Sequence, residues 1–422
     1  MPAVRPDPDA ARRFAVEIVS RLRTAGHEAY WAGGCVRDEL LGRTPADYDV
    51  ATAARPEQVR DLFGRRRTLA VGAAFGVITV LGPRDAGQVE VATFRVDAPS
   101  TDGRHPDGVT FCSAREDARR RDFTINGLFL DPLSGDLHDF VGGRDDLAAG
   151  IVRAIGVPTQ RFAEDHLRML RAVRFTAFFG FVLHADTRAA IERMAHLVAG
   201  VSPERIAAEL RAMTSRPGRG HALELLRETG LAPEILPALG SAVTAGPAGD
   251  TAWTRAAGVV DALDEPDLPL ALAVLAEDSD TGAVAATADR LRFAVRETKK
   301  AVWLREAIGE LGGLRHADLV GRPWSQVQPF VAHEHAAAAA DLLRARAACG
   351  LGDAAAAAWF SAQVARPRPE IDPPPLVTGA DLIAAGLHEG PALGAALARL
   401  RSLQLDGMIS TREQALAAAL RS

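Results

Sequence analysis

The stretch YWAGGCVRDELLGRTPADYDVAT, residues 30–52, decides the fold of the N-terminal part of the chain. An apolar run ends at the glycine pair Gly33 and Gly34, and a short helical pattern follows it. A second apolar run then begins beside two aspartates, Asp47 and Asp49. This order predicts a strand, a turn, a helix, a turn and a strand. One compact segment therefore carries a glycine turn and a paired carboxylate.

The glycine pair is suited to an anion. Without side chains, Gly33 and Gly34 let a phosphate approach the backbone, and the following helix start offers free N–H groups to it. The segment has neither the GxxxxGK[ST] nor the GxGxxG pattern, so the P-loop and dinucleotide-binding classes lack their signature. A tight turn with no ligand explains the pair equally well.

The aspartates point to a divalent cation. Side chains two apart on a strand share a face, so we expect Asp47 and Asp49 to project together while Tyr48 and Val50 face the core. Two such carboxylates repel each other unless a cation neutralises them, and hard oxygen ligands suit Mg²⁺. Glu90, on another predicted strand, is a candidate third carboxylate, and a two-metal site of this kind can clamp a triphosphate. A solvated turn is the alternative for the aspartate pair taken alone.

Composition places the chain among ordinary globular proteins. It has 422 residues, 48% of them hydrophobic and 24% charged, and a formal net charge of −5. This balance argues against indiscriminate coating of nucleic acid, so an RNA partner would need a local basic patch. We see no apolar run of membrane-spanning length and no secretory signal, and we expect a cytoplasmic protein. The three cysteines have no CxxC spacing and predict neither disulfides nor a zinc site.

The pattern along the chain predicts an α+β fold. Strand-like and helix-like segments alternate at first, and from about Phe162 the apolar spacing is helical throughout. We expect a small mixed sheet in an N-terminal head, followed by helices only. The predicted early helices span 9–25 and 36–41, and the predicted strands span 28–32, 48–51, 76–81 and 89–94. We expect a loop at 240–251 and an extended proline-rich linker at 365–375.

Several motifs in a fixed order make the chain resemble a known family. They are GGCVRDELLGRTPADYDVAT, VEVATFR, DGRHPDGVTF, RRDFTINGL, AIGVPTQRFAEDHLRMLRAVRF and LDGMISTREQAL. In this order they resemble the bacterial CCA-adding tRNA nucleotidyltransferases, relatives of the bacterial poly(A) polymerases. The likeness is densest over 30–175 and thin between 217 and 375.

The resemblance implies a domain order and partners. It implies a nucleotidyltransferase head at 1–145, a helical neck at 146–215, a helical body at 216–364 and a helical tail at 376–422. The helical part is expected to bind the acceptor arm and 3′ end of tRNA. The glycine-bounded turn within 377–400 could place backbone N–H groups on RNA phosphates, although an ordinary helical hairpin explains it equally well.

The resemblance also assigns roles in the head. It implies that Asp47 and Asp49 bind Mg²⁺, that Glu90 assists them, and that Gly34 and Arg37 hold the triphosphate. Arg37 is followed by Asp38, so a local ion pair is the alternative for this arginine.

A second motif, RRRDFTIN at 119–126, matches the segment with which the family reads ribose. Arg121 and Asp122 occupy its matching positions. A carboxylate can accept hydrogen bonds from sugar hydroxyls, which gives a reason to prefer ribonucleotides.

The segment RFAEDHLRMLRAVRF, 161–175, predicts one helix whose row of charged residues begins at Asp165 and Arg168 and continues through Arg171 and Arg174. In the family, the residues matching Asp165 and Arg168 read the base of the incoming nucleotide, and Arg171 and Arg174 would contact phosphates or orient that pair. Cytosine and adenine both present an amino donor beside a ring-nitrogen acceptor, so one carboxylate and one guanidinium suit both bases. An exposed helix with intrahelical ion pairs is the alternative.

The segment VDAPSTDGRHPDGVTF, 96–111, resembles the family's flexible loop, which assists the change from C to A addition. Arg104 and His105 are its polar candidates.

The resemblance implies addition of C, C and A to tRNA from CTP and ATP. A poly(A) polymerase or A-only transferase of the same fold is the first alternative, and a non-catalytic RNA-binding relative is the second. The sequence leaves the oligomeric state open.

Overall fold

The computed structural model describes residues 6–97, 108–243 and 252–420. These residues form two compact units, 6–235 in the first and 236–243 with 252–420 in the second. All described strands lie in the first unit. A mixed sheet at the N-terminus followed by helices confirms the predicted α+β class, whereas the bounds of the four domains remain a prediction.

The strands are short. They are β1 Ala29–Ala32, β2 Asp49–Thr52, β3 Thr68–Leu69, β4 Val77–Leu81, β5 Gln88–Thr93, β6 Arg95–Asp97, β7 Val109–Phe111, β8 Leu128–Leu130, β9 Leu137–Asp139, β10 Ile151–Val152 and β11 Val182–Leu183.

The helices of the first unit are α1 Pro8–Thr24, α2 Gly34–Leu40, α3 Pro56–Phe63, α4 Ala114–Arg120, α5 Gly143–Ala149, α6 Pro158–Glu164, α7 Leu167–Phe179, α8 Ala185–Met194, α9 Pro203–Thr214, α10 Arg219–Glu228 and α11 Leu231–Ile235. Those of the second unit are α12 Ala252–Asp261, α13 Leu268–Leu275, α14 Thr281–Arg290, α15 Val295–Leu311, α16 His316–Gly321, α17 Trp324–Val331, α18 Ala336–Ala348, α19 Ala354–Val364, α20 Arg368–Ile371, α21 Gly379–Ala384, α22 Pro391–Leu405 and α23 Arg412–Ala419.

Seven strands form the main sheet in the order β3-β4-β5-β2-β1-β8-β9. The pair β2 and β5 is parallel, and the other neighbours are antiparallel. The two helices and four strands predicted in this part of the chain are present as α1, α2, β1, β2, β4 and β5, and their ends agree with the prediction within one or two residues. Both Tyr48 and Val50 are buried, as the alternation predicted.

Helix α1 shows how the local sequence sets the frame of the head. The Asp7 carboxylate caps the helix by accepting from the Asp9 N–H, and Pro8 occupies the first turn, where no N–H partner is needed. Phe14, Ile18 and Leu22 recur on one face and are fully buried.

Two expectations for the helical part are corrected. The segment after Phe162 is not purely helical, because β11 pairs in parallel with β10; two residues per strand are too few to give an alternating pattern. The segment 365–375 is not an extended linker throughout, since α20 lies within it and buries Ile371. Asp372, directly after α20, accepts hydrogen bonds from Gln328 and Arg401.

The second unit ends in a small cluster of its own. Val377, Leu382, Leu400 and Ala415 are buried together, which joins the last three helices into one packed element. Among the described residues, no helix combines the length and the apolar character needed to cross a membrane.

Candidate functional site

Three carboxylates meet at one end of the main sheet. Strands β2 and β5 run parallel with Asp49 directly opposite Glu90, and neighbouring strands lie about 4.8 Å apart. We expected Asp47 and Asp49 to lie on one strand, and this is wrong. Strand β2 begins only at Asp49, and Asp47 lies in an exposed bend before it. Its charge nevertheless acts on Asp49, so the structure brings all three predicted carboxylates together.

The electrostatics of this cluster favour a cation. Burial raises the pKa of Asp49, the negative charges of Asp47 and Glu90 raise it further, and Arg121 lowers it in part, which leaves the pKa at about 6. A carboxylate that is costly to ionise gains most from a bound cation.

The carboxylates of this cluster suit an ion that a bound nucleotide also coordinates. Within the described residues, no group of three or more His, Cys, Asp or Glu side chains is arranged to hold a metal ion. Proteins commonly bind Mg²⁺ through one or two carboxylates together with substrate phosphates. Asp47 and Asp49 are the residues that would hold it.

The glycine turn lies beside Arg121. Gly33 has a φ of 76°, which glycine adopts readily and other residues rarely do. A Cβ atom at Gly33 would lie 2.8 Å from Nη1 of Arg121. The glycine therefore provides both the turn into α2 and the space for this guanidinium. The predicted strand, glycine turn and helix are confirmed, and the ligand remains a prediction.

Arg37 is not free in this structure. Its guanidinium donates to the Asp38 carboxylate, with Nε at 2.9 Å, and to the Asn126 side chain, with Nη1 at 2.6 Å. It also stacks over the Phe179 ring, 4.5 Å from the centroid. Only 7% of the residue is exposed. The local ion pair is thus present, and a contact from Arg37 to a phosphate remains a prediction.

Asp117 positions Arg121. This carboxylate is 1% exposed and accepts from Nη2 of Arg121 at 3.0 Å, from Nε of Arg120 at 2.8 Å and from the backbone N–H of Arg95 at 3.2 Å. Burial alone would raise its pKa, but the two guanidinium groups outweigh burial and hold the pKa below its ordinary value. Sequence reasoning did not single out Asp117, because only the spacing of four to Arg121 hinted at the pair.

Asp122 has a complete set of partners. One oxygen accepts from the Phe123 N–H and from the Asn126 side chain, and the other accepts from Nε of Arg171 at 2.8 Å. Burial would raise the pKa of Asp122, but the charge of Arg171 and these hydrogen bonds hold it below its ordinary value. A ribose hydroxyl would have to replace one of these donors, so the predicted ribose contact stays a prediction.

The segment that we expected to form one helix is two. Helix α6 ends at Glu164, and Asp165 has an extended backbone with φ −154° and ψ 104°. Its carboxylate accepts from the Leu167 N–H at 3.1 Å and thereby caps the start of α7. The short polar side chain competes with the helix for backbone donors, which explains the break.

The expected pair of Asp165 with Arg168 is therefore replaced by two others. Asp165 pairs with Arg205 of α9 at 2.8 Å, and Arg168 pairs with Glu164 at 2.7 Å. Neither Arg205 nor Glu164 was singled out from the sequence. Arg205 lies forty residues beyond its partner, and no local pattern links such distant positions.

Helix α9 also supplies the partner of the remaining arginine row. Glu209, 8% exposed, accepts from Nε of Arg174 at 2.6 Å and lies 3.9 Å from Nη1 of Arg171. Arg171 bridges this glutamate and Asp122, so the row on α7 is held from both sides. The three arginines of this row are thus ion-paired, and the partners Glu164, Asp122 and Glu209 lie outside α7.

Two family models match parts of the first unit and of the segment after it. Residues 29–153 match the family model described as the poly A polymerase head domain, and residues 180–242 match the model described as the probable RNA- and SrmB-binding site of polymerase A. The first unit is therefore similar to the poly A polymerase head domain, which confirms the resemblance seen in the sequence.

Among curated proteins, the chain is similar to CCA-adding enzymes. It is 43% identical to the CCA-adding enzyme of Geobacillus stearothermophilus over 218 residues, which are 51% of this chain and 53% of that relative. The matched stretch thus spans about half the length of the relative.

Solved structures extend the likeness. A crystal structure of the Bacillus stearothermophilus CCA-adding enzyme in complex with CTP matches with a TM-score of 0.73 and 28% identity, and the match covers 97% of each chain. The Thermotoga maritima CCA-adding enzyme complexed with tRNA shares the fold, with a TM-score of 0.67 and 20% identity over 99% of this chain and 96% of that one.

The expected flexible loop, 96–111, lies largely outside the described residues, and Arg104 and His105 are among those not described. Its described ends form the antiparallel pair β6 and β7.

Proposed function

We propose that this chain adds C, C and A to the 3′ end of tRNA, using CTP and ATP and releasing pyrophosphate. The observation that carries the proposal is the meeting of Asp47, Asp49 and Glu90 at one sheet end, within a fold that matches a CTP-bound CCA-adding enzyme over 97% of both chains. We place the protein in the cytoplasm with its tRNA substrate.

Asp47 and Asp49 are the proposed Mg²⁺ ligands, and Glu90 adds negative charge beside them. When bound, Mg²⁺ would lower the pKa of the attacking 3′-hydroxyl and stabilise charge on the α-phosphate and the leaving pyrophosphate. Gly33, Gly34 and Arg37 are proposed to hold the triphosphate, and the positive charge of Arg121 lies beside Gly33.

The proposed base contacts come from Asp165 and Arg168. Each has a partner in this structure, Arg205 and Glu164 respectively, so reading a base requires these contacts to be exchanged for contacts to the nucleotide. A carboxylate and a guanidinium together match the donor and acceptor order shared by cytosine and adenine. Discrimination of about 1–3 kcal/mol against uracil and guanine is expected from one good bidentate contact.

Arg171 and Arg174 are proposed to orient this pair and to place positive charge near the phosphates. Asp122 and Glu209 fix these arginines from two sides, so the row is preorganised before a nucleotide binds. The second unit, with its tail helices, is proposed to bind the acceptor arm of tRNA.

Product length tests the proposal. On a tRNA lacking its last three nucleotides, CTP alone should extend the RNA by two residues, and CTP with ATP by three. On a tRNA ending in CC, ATP alone should add one residue and stop.

Other outcomes would contradict the proposal. A long ladder with ATP alone would identify a poly(A) polymerase, and addition of A to CC ends without any C addition would identify an A-only transferase. No incorporation under any of these conditions, with tRNA still bound, would identify an RNA-binding relative.

A further inference from the structure

An exposed basic turn precedes the edge strand of the main sheet. Arg65, Arg66 and Arg67 form a single 3-10 turn, and all three side chains are exposed. Within the described ranges, none of the three pairs with a carboxylate. They contrast with the arginines of α7, each of which has an acidic partner. Three neighbouring, uncompensated positive charges attract a polyanion.

Strand register places this turn at the catalytic end of the sheet. Thr68, directly after the turn, pairs with Val80, and Val80 pairs with Val89, the neighbour of Glu90. Strands β3 and β5 are both antiparallel to β4, and β2 is parallel to β5. The starts of β3, β5 and β2 therefore lie at the same end of the sheet. The arginines precede β3 as Asp47 precedes β2.

The separation suits a nucleic-acid strand. Three strand intervals separate β3 from β2, which amounts to about 14 Å. This distance is short enough for one nucleic-acid strand to reach both the turn and the carboxylates with neighbouring phosphates. Arg67 is fixed at the turn because its Nε donates to the Leu81 carbonyl at 3.3 Å, while Arg65 and Arg66 extend into solvent.

We infer that Arg65, Arg66 and Arg67 form a contact surface for the phosphate backbone of the substrate RNA, close to the end that reacts at Asp49. The inference rests on the proposed function for the identity of the RNA. The turn supplies charge and reads no base, so it contributes to RNA affinity equally for all sequences. It leaves the chemistry to the carboxylates.

The test compares two triple variants that remove equal charge. One is R65A/R66A/R67A. The control is R13A/R115A/R144A, which removes three exposed arginines from separate sites of the first unit, outside the segment 180–242 that matches the RNA-binding model. The dissociation constant for tRNA is measured by fluorescence anisotropy over a range of salt concentrations, and the KM values for tRNA and CTP and the kcat are measured by incorporation.

The turn variant should bind tRNA at least about tenfold more weakly at low salt, and its log–log salt slope should fall by about 2–3. Its KM for tRNA should rise, while the KM for CTP and the kcat at saturating tRNA stay unchanged. The control should behave as the wild type, and R65K/R66K/R67K should restore binding because charge suffices. R65A/R66A keeps the Arg67 contact to Leu81 and should show about two thirds of the slope change.

Equal tRNA affinity and salt slope in the turn and control variants would overturn the inference. Failure of the wild type to extend tRNA would instead remove the proposed function, and the binding measurements would still decide the role of the turn.

Discussion

Replacing Asp49 with asparagine should abolish nucleotide transfer and at the same time stabilise the protein. In the folded chain the pKa of Asp49 is about 6, whereas in an unfolded chain an aspartate titrates near 4. The folded state therefore binds this proton more tightly than the unfolded state does. Ionisation of Asp49 costs stability as the pH rises from about 4 to about 6, and the full cost persists above that range.

The size of the gain follows from this shift. About two pKa units at 1.36 kcal/mol each give an upper value of about 3 kcal/mol for Asp49→Asn above pH 7. The asparagine amide is also desolvated, so we expect a gain of about 1–3 kcal/mol. Urea unfolding of the full chain between pH 4 and pH 8, followed by circular dichroism, measures it.

The pH dependence separates this account from a general packing effect. The stability difference between variant and wild type should grow between pH 4 and pH 6 and then level off. Added Mg²⁺ should stabilise the wild type and reduce the difference. Asp61→Asn, at an exposed position on α3, is the control and should show neither effect. A variant no more stable than the wild type at pH 8, or a difference independent of pH, would refute the reasoning.

Two further substitutions test the neighbouring contacts. Arg171→Ala removes the charged partner of the Asp122 carboxylate and should lower the free energy of unfolding in urea by about 3 kcal/mol at pH 8. Because the lowered pKa of Asp122 stabilises the fold fully only above about pH 4, the loss should shrink as the pH falls below 4. An equal loss at pH 3 and pH 8 would contradict this reasoning. Gly33→Ala strains a backbone with φ 76° and displaces Arg121, so it should lower the free energy of unfolding by about 1–2 kcal/mol and raise the KM for CTP. Gly42→Ala, at φ 66° with no atom within 4 Å of the added Cβ, is the control for strain alone. An equal KM for CTP in both variants would exclude a role for the displaced guanidinium.

Sequence reasoning succeeded where one local pattern set the structure. The strand, glycine turn and helix around Gly33 follow from residue types within a few positions of one another. The facing of Asp49 and Glu90 was also predictable, because both lie on short apolar strands that belong to one sheet.

Sequence reasoning failed where contacts between distant residues determine the structure. The break at Asp165 reflects a carboxylate that prefers a backbone N–H to a helical turn, and its partner Arg205 comes from another helix. The same holds for Glu209, which has no sequence signal linking it to Arg174. In both cases the informative contact joins residues more than thirty positions apart, which helical periodicity does not reveal.

The most direct test of the central claim is the rate of CMP incorporation into a tRNA lacking its CCA end, measured for Asp49→Asn, Glu90→Gln and Asp61→Asn with saturating Mg²⁺, CTP and tRNA. The account predicts that Asp49→Asn loses incorporation by at least about a thousandfold while CD and tRNA binding stay intact, since it removes stabilisation of about 4 kcal/mol or more from the transition state. Glu90→Gln should be strongly slowed, and Asp61→Asn should match the wild type. Wild-type rates in Asp49→Asn would contradict the account.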